Sequence, residues 1–463
     1  MYDVVVIGSG PGGYHAAILS AQKGMKTALV EKRLLGGVCL QEGCIPTKSL
    51  VFSAQVLKTV KEAASYGIEV REYSFSWTRI QERKDTVVRQ LTQGLENLMQ
   101  ANGVEIIDGH AKITGHSTVE VISDTGCREI QGKNIILAPG SSPVIPPVQG
   151  IDSPGVMTSQ EALTLAEIPR KMLVIGGGVI GTEFASIFGS FGCEVTVAEC
   201  LPRILAPVDG EIARRMESEL KRRKIRLLTA ATVETIEPDG QHLNATINRN
   251  GKSETITVDR ILVAAGRRPN TQDLGLENVG VKYDDRSGIE VDAFMQTSTP
   301  GIYAVGDVTG NYLLAHVASA EAHIAVESIV GRRRKMDYSA VPNAIFTDPE
   351  VAGVGLTEEE ARGRGLEYKA TKFMLSANSR AAIVGANRGM IKLITAAPDH
   401  KVVGAHIFGE HAAELIHELV LATGTGMSAE DIARTIHAHP TLSESIMETA
   451  GGALGNFIHM YSK

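Results

Sequence analysis

Tyr2-Asp3-Val4-Val5-Val6-Ile7-Gly8-Ser9-Gly10-Pro11-Gly12-Gly13 runs from apolar, β-prone residues into a glycine-rich loop. The first six residues read as a buried strand, and Tyr14 to Lys23 as the helix that follows. A second strand, Thr27-Ala28-Leu29-Val30, ends in Glu31. The spacing of Gly8, Gly10 and Gly13 is that of a dinucleotide-binding turn, with Glu31 as its acid. The first glycine permits the tight turn, the second lets a pyrophosphate approach the backbone, and the third allows close helix–strand packing. The helix N-terminus would receive the anion.

The pattern occurs twice. Lys171-Met172-Leu173-Val174-Ile175 leads into Gly176, Gly178 and Gly181, then a predicted helix from Thr182 to Phe191, then Glu194-Val195-Thr196-Val197-Ala198-Glu199. Each acid lies 23 positions after the first glycine of its loop (8 to 31, 176 to 199). One such loop is weak evidence; two in register with their acids are strong. Ile135-Ile136-Leu137-Ala138-Pro139-Gly140 and Ile261-Leu262-Val263-Ala264-Ala265-Gly266 echo each other as well, each after a hairpin-like stretch. The expected architecture is α/β, with two Rossmann-like dinucleotide-binding domains, one inserted in the other. The predicted divisions are 1–147 and 271–337 for the first domain and 148–270 for the inserted one. A C-terminal α+β domain, 338–463, has alternating strands, a helix from Glu410 to Ala422 and no glycine fingerprint, which points to a dimer interface.

Cys39-Leu40-Gln41-Glu42-Gly43-Cys44-Ile45-Pro46 follows the first loop closely. Two thiols at this spacing can close a small disulfide ring. Pro46 suits the first position of a helix, whose N-terminus would favour the Cys44 thiolate. Half of a zinc site is the competing reading, but no second cysteine pair follows, so no metal is expected. Cys127, Cys193 and Cys200 are scattered and read as structural.

With 463 residues, 43% hydrophobic and 21% charged, the composition is that of a globular chain of roughly three domains. The net charge of -7 argues against nucleic-acid binding, and Gly331-Arg332-Arg333-Arg334-Lys335 reads as a solvated inter-domain link. No 18-residue apolar span and no leader pattern is present, so the expectation is a cytoplasmic protein that does not enter membranes. Disulfides are uncommon there unless catalytic.

These motifs, with Tyr303-Ala304-Val305-Gly306-Asp307 and His437-Ala438-His439-Pro440-Thr441-Leu442-Ser443-Glu444, resemble the pyridine nucleotide–disulfide oxidoreductases over essentially the whole chain. The likeness is greatest to the members that oxidise protein-bound dihydrolipoamide. The resemblance implies FAD in the first site and NAD in the second. Glu31 would hold the adenosine ribose of FAD, and Asp307 its ribityl or phosphate region. Ala111 and Ala315 would contact FAD through backbone. Lys48 would lie near the flavin and pair with Glu183, while Val233 and Gly266 would contact the nicotinamide nucleotide. Val38 and Pro139 depart from the threonines common at these places, removing a hydroxyl and a backbone donor respectively.

The resemblance further implies that Cys44 faces the flavin and that Cys39, the more exposed thiol, exchanges with substrate. His439 is the candidate base, supplied to the cysteines of the other subunit of a homodimer, and Glu444 its orienting acid. Glu444 has a second reading, since Thr441 to Glu444 is also a capping box. Glu199 would accept from a free ribose hydroxyl and repel a 2′-phosphate, which favours NAD over NADP. The partner would be a lipoyl-bearing protein of a 2-oxo acid dehydrogenase or glycine cleavage complex. The alternatives are another NAD(P)H-dependent disulfide reductase, such as glutathione reductase, and a flavoprotein scaffold or redox sensor without turnover.

Overall fold

The computed structural model describes residues 1–461. Its first stretch holds β1 (Tyr2–Ile7), α1 (Pro11–Gln22), β2 (Thr27–Glu31), α2 (Gly37–Glu42), α3 (Cys44–Glu62), α4 (Trp77–Ala101) and β3 (Glu105–Asp108). β1 pairs in parallel with β2, and β2 with β3; on its other side β1 pairs with the end of the long strand Gly126–Leu137. Ile302–Ala304 then lies parallel to Ile135, Ile136 and Leu137, so the chain returns to this sheet after a long excursion. These strands are apolar at successive positions because both faces of the sheet are buried, one under helices such as Pro11–Gln22 and Ala315–Ile329 and the other under the strands of residues 110–130.

The excursion contains the second copy. Lys171–Ile175 is flanked in parallel by Glu194–Glu199 and then Arg226–Thr229, and on its other side by Arg260–Val263 and then Val156–Met157. The two sheets match strand for strand. The strand before the glycine loop is central, the strand ending in the acid lies beside it, and the echoed apolar run closes the other flank. An antiparallel three-stranded meander follows in each: His110–Gly115, Thr118–Ser123 and Gly126–Leu137, then Ala231–Asp239, His242–Arg249 and Lys252–Val258. The outgoing and returning crossings pair with each other, Ser141–Pro143 against Arg267–Pro269.

The glycines explain why the loops are built this way. Gly8 and Gly176 have φ of +98° and +111°. A Cβ on them would stand 2.2 Å from the Ala138 carbonyl oxygen and 2.3 Å from that of Ala264. A Cβ on Gly13 or Gly181 would stand 1.9 Å from the carbonyl oxygen of the first glycine of its own loop. Gly10 and Gly178, by contrast, meet nothing within 4 Å. The first and third glycines are required by packing, and the second leaves a gap.

The C-terminal sheet is antiparallel, in the order Asn343–Ile345, Glu350–Gly355, Val402–Gly409, Met390–Ala396, Tyr368–Met374. Ala412–Thr425 packs on its Glu350–Gly355 and Val402–Gly409 strands, and Glu444–Ala453 on Tyr368–Met374. Among the described residues no helix is long and apolar enough to cross a membrane, and no group of three His, Cys, Asp or Glu could hold a metal.

Three expectations need correction. The helices after the loops begin at Pro11 and Val179, because Gly10 and Gly178 themselves are the N-caps. α3 begins at Cys44, which puts Pro46 third; a missing N–H is tolerated anywhere in a first turn, where donors have no intrahelical partner. Cys193 is buried, but Cys127 and Cys200 are exposed and have no packing role.

Gly181→Ala is expected to destabilise the protein by about 1–3 kcal/mol or more, since its methyl would overpack against backbone. Gly178→Ala should leave the melting temperature near that of the parent. Thermal unfolding of the two variants measures the difference.

Candidate active site

One cavity of about 2140 Å³ runs between the two loops, several times the usual volume of a small-ligand pocket. Gly8, Gly10, Glu31, Ala111, Asp307 and Ala315 line it on the first domain's side. Gly176, Gly178, Glu199, Val233 and Gly266 line it on the side of the inserted domain. Cys39, Cys44, Lys48 and Glu183 also line it. Gly13 and Gly181 are buried beneath the loops, where they let helix meet strand. His439 and Glu444 lie apart, outside the cavity of their own chain.

The gaps at Gly10 and Gly178 open onto this cavity, each at a helix N-cap that no side chain fills. Free N–H groups and a helix dipole face the space left there, the arrangement that receives a pyrophosphate. The residues therefore fit two dinucleotides.

Each acid also braces its own loop. Glu31 accepts from Ser9 N–H at 2.8 Å, Ser9 Oγ at 2.6 Å and Arg33 N–H at 3.0 Å. Glu199 accepts from Gly177 N–H at 2.6 Å and Leu201 N–H at 2.8 Å. The two carboxylates thus bind the same two backbone positions, the residue after the first glycine and the residue two beyond the acid. A carboxylate has about four acceptor sites, so each keeps capacity for a ribose hydroxyl.

α2 and α3 carry the cysteines. Both thiols are free, and they hydrogen-bond to each other. Cys44 is pushed down to about 7, first by the Cys39 hydrogen bond and then by the Lys48 ammonium, against burial. Cys39 is raised, by the same bond and by burial. The pair therefore reads as a Cys39 thiol donating to a Cys44 thiolate. Both thiols line the cavity, Cys44 exposed to it at the start of its helix and Cys39 half-buried.

Lys48 lies one turn after Cys44. Its Nζ donates to Glu183 Oε1 at 3.0 Å and Oε2 at 2.9 Å. Glu183 also accepts the Phe346 N–H at 2.8 Å, and Lys48 sits 4.8 Å from the centre of the Phe346 ring.

The sequence reading missed a polar group around Asp307. The Ser141 hydroxyl donates to Asp307 Oδ2. Arg267 donates through Nε to Ser141 Oγ at 2.8 Å and through Nη2 to Ser141 O at 2.6 Å. Burial raises the Asp307 carboxyl, opposed by Ser141 and Arg267. Glu42, inside the cysteine ring, accepts from Arg33 Nη1 at 3.1 Å and from Gln160 of the inserted domain. The one available signal was position: Ser141 and Arg267 directly follow the echoed glycines Gly140 and Gly266.

His439 Nδ1 lies 2.9 Å from Glu444 Oε1, and its side chain is 71% exposed. Glu444 Oε2 accepts the Thr441 N–H at 2.8 Å. That bond chiefly holds the carboxyl below its usual range, with His439 adding to it. Thr441 to Glu444 forms no capping box, because the helix begins at Glu444 with Ser443 as its N-cap; the Thr441 hydroxyl donates to Ala438 O. The carboxylate instead ties the backbone just ahead of the helix while it faces His439. His437 is fixed at both nitrogens, by Thr435 O at 2.8 Å and Glu418 at 3.0 Å, and has none left for chemistry.

A family profile described as pyridine nucleotide-disulphide oxidoreductase matches residues 2–322, and its dimerisation domain matches 341–450. A dihydrolipoyl dehydrogenase of Geobacillus stearothermophilus is 41% identical over 461 residues, covering 100% of this chain and 98% of that protein. One of Chlamydia muridarum is 42% identical, covering 99% and 98%. Among solved structures, the HOCl-induced flavoprotein disulfide reductase RclA of Escherichia coli aligns with a TM-score of 0.88 at 30% identity, covering 97% of this chain and 99% of that one.

Lys48→Met is expected to raise the Cys44 pKa above about 7. The alkylation rate of the reduced protein by iodoacetamide, followed against pH, should then rise at higher pH than in the parent. An unchanged midpoint would exclude Lys48 as a source of the depressed pKa.

Proposed function

The chain belongs to the pyridine nucleotide-disulphide oxidoreductase family, and from that premise we propose that it is an FAD- and NAD-dependent enzyme that oxidises protein-bound dihydrolipoamide to lipoamide. The observation that carries the reading is the pair of free thiols, Cys39 and Cys44, that line the cavity shared by both glycine loops beside Lys48. Bound FAD would supply the two-electron chemistry that links the dithiol to NAD+. Gly10, Glu31, Ala111, Asp307 and Ala315 would hold it, and Gly178, Glu199, Val233 and Gly266 the nicotinamide nucleotide. Glu199 leaves no place for a 2′-phosphate beside its charge, which supports NAD.

The residues divide the work. With the Cys39–Cys44 bond closed, a substrate thiolate attacks Cys39 Sγ. An S–S bond forms to substrate as the Cys39–Cys44 bond breaks, and Cys44 leaves as a thiolate. Its depressed pKa makes it a good leaving group near neutral pH. The second substrate thiolate then attacks the substrate sulfur bound to Cys39 and closes the lipoamide ring. Two protons must be placed. Cys39, with its raised pKa, keeps one and donates it in the hydrogen bond to Cys44. His439 takes the other, and Glu444 stabilises the imidazolium.

The match to a dimerisation domain supports a homodimer. His439 is exposed and lies outside its own cavity, so the imidazole that serves each couple comes from the second copy. The lipoyl group is carried by a protein of a 2-oxo acid dehydrogenase or glycine cleavage assembly.

His439→Gln is expected to slow dihydrolipoamide turnover by about 10²–10⁴-fold, and Cys39→Ser to abolish it, both with FAD retained. Steady-state rates with dihydrolipoamide and NAD+ against glutathione disulfide and NADPH measure the substrate choice. Preference for the second pair, or full activity of Cys39→Ser, would reject this function.

A further inference from the structure

Glu321, on the helix Ala315–Ile329, is fully buried. Its two hydrogen-bond partners are neutral: Oε2 accepts the Gly306 N–H at 2.6 Å, and Oε1 accepts the Tyr338 hydroxyl at 2.7 Å. A glutamate rarely stays this deep without a cation. Burial lifts its carboxyl to about 7, and Asp307 pushes the same way. An apolar residue would fill the place without the penalty of burying a carboxyl.

Its position explains the carboxyl. The last sheet bond along this edge is Val305 N–H to Leu137 O at 2.9 Å. The next donor, Gly306 N–H, lies past the end of the strand Ile302–Ala304, in a turn with φ of +77°. Glu321 accepts it from behind, and so fixes the backbone that carries Asp307 to the cavity wall. The helix itself starts at the wall, with Ala315. Tyr338, which anchors the other carboxyl oxygen, stacks on Tyr312 with ring centres 5.3 Å apart. It stands at the entry to the C-terminal domain.

We propose that Glu321 is a positioning residue for the FAD site, holding the Gly306–Asp307 turn through one oxygen while Tyr338 holds the other. The proposal rests on FAD as the occupant of the first loop's side of the cavity.

The test is the FAD dissociation constant of flavin-stripped, reconstituted protein, read by flavin fluorescence. Glu321→Leu leaves the Gly306 N–H without an acceptor and should weaken binding about tenfold or more. Glu321→Gln keeps a carbonyl acceptor and should restore binding to within about threefold of the parent. Tyr338→Phe removes only the anchor and should weaken binding about fivefold. Parental affinity in Glu321→Leu, or in Tyr338→Phe should the leucine variant not fold, overturns the proposal. So does a glutamine variant as weak as the leucine one.

A second readout is stability against pH. A carboxyl raised by folding binds its proton more tightly in the native state, so the stability it gives is lost as pH rises from about 4.5 through about 7. The titratable groups facing it are Asp307 and Tyr338. Glu321→Gln should remove that slope, and equal slopes in parent and variant overturn the assignment. Neither readout uses dihydrolipoamide, so failure here leaves the proposed substrate standing, and a different substrate leaves the FAD test valid.

Discussion

Glu183 is shared by three parts of the chain. It accepts Lys48 from the helix that begins at Cys44, it sits on the helix after the second glycine loop, and it takes the Phe346 N–H at the start of the C-terminal sheet. Its side chain is 4% exposed and that of Lys48 32%. Breaking a buried pair by removing one partner costs about 3–5 kcal/mol, because the other charge remains. The pair therefore couples electrostatics to geometry. The same ammonium that lowers the Cys44 pKa holds the dithiol helix at a fixed place relative to the second loop. Thiol reactivity and inter-domain distance cannot drift independently while this contact is intact.

The two halves repeat each other down to single hydrogen bonds. Glu31 and Glu199 each brace the N–H after their first glycine and the N–H two residues beyond themselves. A ribose-binding acid and a loop brace are one residue here. Binding then needs little rearrangement, since the carboxylate is already aimed and the loop already fixed. That lowers the ordering cost that a flexible phosphate loop would carry.

The legible parts of the sequence were those where backbone constraint dictates residue type. Gly8, Gly13, Gly176 and Gly181 admit no Cβ, so the folds announced themselves at fixed spacing. The Lys48–Glu183 pair and the His439–Glu444 pair came from a family likeness, not from spacing: Lys48 and Glu183 are 135 positions apart. Ser141 with Asp307, Arg267 with Ser141 and Glu321 with Gly306 were not legible. They are ordinary polar residues joined across the fold, and only the third dimension pairs them.

The start of the helix at Cys44 adds to the asymmetry of the dithiol. A sulfur at a helix N-terminus, near a lysine one turn on, is stabilised as an anion. Its neighbour at Cys39 lies inside the short helix Gly37–Glu42, more buried and with Cys44 as its hydrogen-bond partner. Once reduced, the pair favours the proton on Cys39 and the charge on Cys44, since Lys48 and the mutual contact lower Cys44. The chain's own charges thus bias the thiolate toward Cys44 before any substrate arrives. The imidazole, held at Glu444 on a different face, has a single proton to manage instead of two.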